Sequence, residues 1–189
     1  AFAQTLSVEG NASILSNGTL QSVDTGSVVH TFIINKNMTN EGNVLFNRTS
    51  KVNLLFQSDS GRVLNGLNPS ANLEIGKMQV VVGTSPEATF EITALGSMTA
   101  PNDNWLTITK GTLKISRPGN LTLTSSATNF TIPAAGGLIM SNSGLTITVG
   151  DVNSAAADLV LGGNLYVLSG TLNIGNEINN QNNDLEYAN

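Results

Sequence analysis

The chain has 189 residues and a formal net charge of −5, with 40% hydrophobic, 11% charged and 5% aromatic residues. Disorder needs low hydrophobicity with high charge, and coiled coils lean on Ala, Glu, Lys, Leu and Arg, so both are excluded. The eight basic residues form no stripe that could track phosphates or an anionic bilayer, no cysteine exists to form a disulfide or a thiolate zinc site, and no apolar run reaches the ~20 residues of a membrane-spanning helix.

Ala1-Phe2-Ala3 has the small-x-small pattern that precedes signal-peptide cleavage, with Gln4 as the first mature residue. Residues 1–10 therefore read as a signal-peptide remnant and N-terminal segment, and residues 11–189 as a single domain. From there the chain alternates apolar and polar residues in short stretches. In order they are Leu20 after Gly18-Thr19, Phe32-Ile33-Ile34, Val52-Asn53-Leu54, Leu73-Glu74-Ile75, Val80-Val81-Val82 and Phe90-Glu91-Ile92. They continue through Leu106-Thr107-Ile108, Leu113-Lys114-Ile115, Leu121-Thr122-Leu123, Phe130-Thr131-Ile132 and Leu138-Ile139-Met140, then Leu145-Thr146-Ile147, Leu159-Val160-Leu161, Leu165-Tyr166-Val167 and Leu172-Asn173-Ile174. Period-two alternation predicts strands with one buried face.

The phrase apolar-x-apolar, a Gly/Ser/Asn break, then apolar-x-apolar again recurs. Taking the residue after each break gives the markers Leu20, Val52, Val80, Leu113, Leu145 and Leu172, which recur at roughly 30-residue steps. Several short strands per ~30 residues, with turn residues at each corner, predict one coil of a β-solenoid whose inward face is buried by the next coil. Branched aliphatics suit a narrow stacked column, Gly and the 25 Asn suit corners, and Thr suits the outer face. The expected fold is an all-β, right-handed parallel β-helix with coils of about 30 residues. The alternative is an antiparallel β-sandwich, which does not account for the recurring break.

Little here supports catalysis. His30, the single histidine, lies inside an alternating strand, and no nucleophile elbow is present. Glu87 and Glu91 lie near one loop, Asp151 and Asp158 bracket another, and Asp24, Asp59 and Asp103 stand apart, so no acid pair falls at one coil position. The chain is read as non-enzymatic, with no cofactor or metal. Lys77 and Lys110 each precede a coil marker by three residues; they are read as solvated corner lysines, with a stacked basic pair for an acidic sugar as the alternative, and are kept as candidate surface contacts. Trp105, just ahead of Leu106, points outward by alternation, with coil equivalents Asn72, Gly137 and Asn164, and is either a candidate contact for a sugar or a partner or is covered by the Pro101-Asn102-Asp103-Asn104 loop. Thr107/Thr109, Thr122/Thr124 and Thr146/Thr148 form no continuous ladder at that register. Six Asn-x-Ser/Thr sequons, at Asn11, Asn17, Asn37, Asn47, Asn120 and Asn129, are candidate glycosylation positions.

The stretch Gly163-Asn164-Leu165-Tyr166-Val167-Leu168-Ser169-Gly170-Thr171-Leu172-Asn173-Ile174-Gly175, followed by Asn182-Asn183-Asp184-Leu185-Glu186-Tyr187-Ala188, resembles β-helix segments of very large surface proteins of Bacteroidota. These are adhesin-like Type 9 secretion substrates, gliding-motility adhesins among them. The likeness is strongest over residues 104–189 and weak before residue 70. It implies export by a secretion machinery, a place at the cell surface, and contacts with extracellular glycans or other surface proteins. The expected role is a stalk or adhesin segment. Alternatives are a filament subunit self-associating through its solenoid ends and a polysaccharide-active β-helix enzyme. No capping element follows the sixth copy, so the native polypeptide is expected to continue or to dock on another chain.

Overall fold

The computed structural model describes residues 2–23, 26–125, 128–150, 157–175 and 185–187. Among them every element is a β-strand. All pairings between strands are parallel, and the single antiparallel contact is an isolated bridge between Asn47 and Lys51. The chain is thus a β-solenoid and not an antiparallel sandwich.

Three faces wind up the solenoid. The first stacks β1 (Thr5–Val8), β4 (Val29–Ile34), β7 (Lys51–Ser58), β10 (Lys77–Val82) and the start of β13 (Leu106–Ile115). The second stacks β2 (Ala12–Ile14), β5 (Met38–Asn40), β8 (Arg62–Asn65), β11 (Thr89–Ile92) and the end of β13, followed by β16 (Gly136–Val149) and β18 (Asn164–Ile174). The third stacks β3 (Thr19–Gln21), β6 (Asn43–Leu45), β9 (Asn72–Glu74) and β12 (Ser97–Thr99). In the later coils β14 (Gly119–Thr124) lies against the second half of β16, and β15 (Phe130–Ile132), β17 (Leu159–Leu161) and β19 (Leu185–Tyr187) form a sheet of their own.

The coil is shorter than the marker spacing. Ala12, Met38 and Leu64 are stacked neighbours on the second face. At the corner just ahead of them, Asn11 bonds to Asn37 and Asn37 to Val63, each 26 residues on. Markers spaced more widely than this overshoot the coil and drift around it. Leu20 accordingly falls on the third face, Val52 and Val80 on the first, and Leu113 on the second.

Each face buries every second residue. Phe32, Leu54, Met78 and Leu106 stack as one column, as do Ile34, Phe56, Val80 and Ile108. On the second face Met38, Leu64, Ile92, Ile115 and Met140 do the same. Removing such rows from water is the main stabilising term. The interior is wider than an aliphatic column requires. Phe56 and Phe90 stack with ring centroids 3.9 Å apart, and Phe32 meets Phe46 edge-on at 5.9 Å. Facing strands can therefore pair aromatics across the core, which composition alone did not suggest.

Corners close the coils with side chains as well as backbone. The Glu41 carboxylate accepts the N–H groups of Leu67 (2.9 Å) and Asn68 (2.7 Å) one coil on. Asn11 Oδ1 accepts Asn37 N–H, and Asn37 Oδ1 accepts Val63 N–H. An Asn at this corner thus caps a turn and ties it to the next coil.

Candidate functional site

Among the described residues, two regions leave the solenoid's interior uncovered. Beside the first coil lies a hollow of about 1250 Å³, walled by Leu6, Leu20, Phe32, Phe46 and Val52 and rimmed by polar groups, His30 among them. His30 Nδ1 accepts the Gln4 N–H at 3.2 Å, tying β4 to the segment before β1. Ser22 and Ser50 brace the same region, Ser22 Oγ donating to Ser50 O and Ser50 Oγ to Gly26 O. The hollow is the mouth of the inner column: Phe32 is 5% exposed, whereas its outer neighbour Leu6 is 56% exposed.

The other region is β18. Leu138 and Met140 of β16 are fully buried, yet their partners one coil on, Leu165 and Val167, are half-buried and exposed. Tyr166, Val167 and Leu168 are 50%, 46% and 66% exposed. Both regions offer apolar side chains on strands with one strand partner each among the described residues, a surface suited to another strand or coil.

The residues expected to form a contact surface are not brought together. Trp105 does not point outward. It is 1% exposed, and its Nε1 donates to Thr122 O at 2.7 Å. The alternation on which the outward expectation rested breaks at this point. Asn104 has φ 52, the one left-handed non-glycine among the described residues, and this corner turns Trp105 inward together with the adjacent, equally buried Leu106. The expected equivalents Asn72, Gly137 and Asn164 sit on other faces, because the coil is shorter than assumed. Lys77 and Lys110 do not stack either. Lys77 is exposed and opposes Asn53, whereas Lys110 opposes Val81 beside a register shift.

The sequon residues Asn11, Asn17, Asn37, Asn47, Asn120 and Asn129 are all exposed. Three of them use Oδ1 to cap a turn in the neighbouring coil, Asn129 accepting the Asp158 N–H at 3.0 Å. At the true register Thr146 lies between Asn120 and Thr171, and Thr148 between Thr122 and Asn173, so the outer face carries a short mixed Thr/Asn ladder.

Among the acids, Glu91 accepts from Ser116 Oγ at 2.5 Å and pairs with Lys114 Nζ at 2.9 Å. The Ser116 hydroxyl, helped by Lys114 against partial burial, holds its carboxyl below the usual glutamate range. Glu87 is likewise lowered, by the Ser85 hydroxyl, at a fully exposed position. Asp103 accepts Thr124 Oγ1 and Ser125 N–H, which fixes the loop beside Trp105. Asp24 and Asp151 lie outside the described residues. Among the described residues, no group of His, Cys, Asp and Glu could hold a metal ion, and no helix is long and apolar enough to cross a membrane.

The lowered Glu91 carboxyl has a pH consequence. Its contribution is fully present above the ordinary glutamate pKa of about 4.3 and is lost as the pH falls through its lower folded value. Glu91→Gln is therefore expected to cost under about 1 kcal/mol at pH 7 and to flatten stability against pH below about 4.3, read by urea unfolding across that range. An unchanged acid limb would refute it.

Arg117 escaped the sequence reading. It continues the inward alternation of Leu113 and Ile115 and is 6% exposed. Burial lowers its pKa from the ordinary value. A buried arginine beside the exposed Pro118 leaves no mark in a hydropathy pattern. Comparison with protein-family models, curated proteins and solved structures yields no match to this chain.

Proposed function

We propose that the chain is a non-enzymatic extracellular protein, a β-solenoid stalk segment of a cell-surface adhesin whose outer face makes weak polar contacts with glycans or other surface proteins. The observation that carries the reading is the continuous inner column, in which Phe32, Leu54, Met78 and Leu106 stack coil on coil. Such an architecture extends by adding coils, and its stiffness comes from rows of backbone bonds along the axis. The exposed Asn and Thr side chains supply the hydrogen-bonding outer surface. Export, the surface location and the adhesive role rest on the small-x-small start and on the resemblance of residues 163–188.

The exposed Tyr166, Val167 and Leu168 favour a second reading, a filament subunit in which this face of one copy fills the hollow of the next. Intact mass of the native polypeptide under denaturing conditions, with immunogold labelling of intact cells, separates the two. The stalk reading expects a chain many times longer than this one, starting at Gln4 and labelled on the outside. A native chain no longer than these 189 residues, held in high-mass surface assemblies, replaces it with the filament. Intracellular label only overturns both.

A further inference from the structure

Arg117 follows β13 at the corner leading into β14. The bond from Ser116 N to Ile92 O (3.0 Å) carries the β11–β13 ladder one residue past Ile115, up to the residue before Arg117. On the other side the Asn142 amide donates to Ser116 O at 3.4 Å.

The Arg117 guanidinium is unusual in two respects. Nε and Nη1 are both buried, and neither has a hydrogen-bond partner among the described residues. The acid on the neighbouring strand, Glu91, is committed to Ser116 and Lys114. Arginine does not shed its proton to escape burial, as lysine can. A buried, uncompensated guanidinium is strongly unfavourable unless an anion completes it. Nε and Nη1 lie on different edges of the planar group, and each edge includes Nη2. Either edge presents the two-donor fork that matches two oxygens of one oxyanion. Pro118, the next residue, is exposed, so the site lies just under the surface at a solenoid corner.

We propose that Arg117 is an anion site, in which its fork holds a compact oxyanion of carboxylate or phosphate type between the β13–β14 corner and the adjoining coils. The anion neutralises the one buried charge among the described residues of the inner column and locks that corner. On a surface protein the same geometry accepts the carboxylate of an acidic sugar.

The test uses the full 189-residue chain, melted in sodium phosphate, sodium acetate or sodium chloride at matched ionic strength. At about 100 times the dissociation constant the preferred oxyanion is expected to raise the melting temperature by about 5–10 °C over chloride. Arg117→Met is expected to abolish that difference while melting, in chloride, no lower than the parent chain. Arg117→Lys keeps the charge without the fork and is expected to lose most of the response. A rise with phosphate alone assigns the site to phosphate-type ions, and a rise with acetate alone to carboxylates. Equal responses in the parent chain and Arg117→Met would overturn the site, because general salting effects act on both. Should Arg117→Met fail to fold, the parent chain decides. With 15N-labelled arginine, the Arg117 Nε–H signal is expected to shift saturably on phosphate or acetate addition. No movement up to about 50 mM of either excludes the proposal.

Discussion

Trp105→Ala is expected to cost about 4 kcal/mol, the largest loss from any single truncation discussed in this chain. The indole is 1% exposed and sits where β13 begins, against the coil that carries Thr122. Truncation removes the largest fully buried side chain among the described residues and leaves a cavity that stacked coils cannot close without breaking register. It also strips the part-buried Thr122 O of a donor at 2.7 Å, the loss of a hydrogen bond of about 1 kcal/mol. Trp105→Phe separates the two effects: it keeps most of the volume, loses the N–H, and is expected to cost about 1–2 kcal/mol. Urea unfolding followed by circular dichroism measures both. Emission from the parent chain, whose only tryptophan this is, should be that of a dry indole. A solvent-like spectrum, or a loss under about 1 kcal/mol for Trp105→Ala, would restore an outward Trp105 and discard the packing described above.

Gly111→Ala is the second large effect. This glycine has φ 77 and lies in the middle of β13, where the strand passes from the first face to the second. A Cβ there would lie 2.1 Å from Val82 O and 3.0 Å from Ala88 O, both backbone atoms of the coil below. Neither can withdraw, because Gly111 N is bonded to Ala135 O and Thr112 N to Ala88 O, each at 2.8 Å. The left-handed backbone alone costs about 1–2 kcal/mol for a non-glycine, and overpacking adds about 1–3 kcal/mol, so a total of about 3 kcal/mol is expected. Gly10→Ala is the control, because a Cβ at Gly10 meets nothing within 4 Å, and it should lie within about 0.5 kcal/mol of the parent. A mild Gly111→Ala and a damaging Gly10→Ala would mean that the corner is placed in the wrong segment.

The architecture was legible because alternation and corner residues are local signals. Phe90-Glu91-Ile92 or Leu138-Ile139-Met140 can bury one face only in a strand, and Gly111 and Gly170, both at positive φ, stand at breaks visible in the recurring phrase. Register was not legible, because it depends on variable corner lengths that add up along the chain. Leu54 pairs with Met78 and Met78 with Leu106, and the second step along the chain is longer than the first. The shared coil position of Lys77 and Lys110 failed with it, whereas the outward Trp105 failed because alternation breaks at the Asn104 corner. The sequons were legible as surface positions, since an Asn that caps a corner is exposed by its place in the coil. Arg117 was hidden for the opposite reason: its type signals solvent, and only the inward phase of β13 buries it.

The parallel stacking of coils also sets how the molecule would yield to tension. A pull along the axis loads the rows between neighbouring coils at one end only, so bonds break in succession instead of sharing the load. Releasing one coil of the Asn11-to-Asn37 kind frees 26 residues, which extend to roughly 90 Å at the reach of about 3.3–3.6 Å per residue. The coil had occupied only about 4.8 Å of axis. A tether built this way is stiff until a threshold force, then lets out slack in steps, and each released turn can rewind on the template still in place.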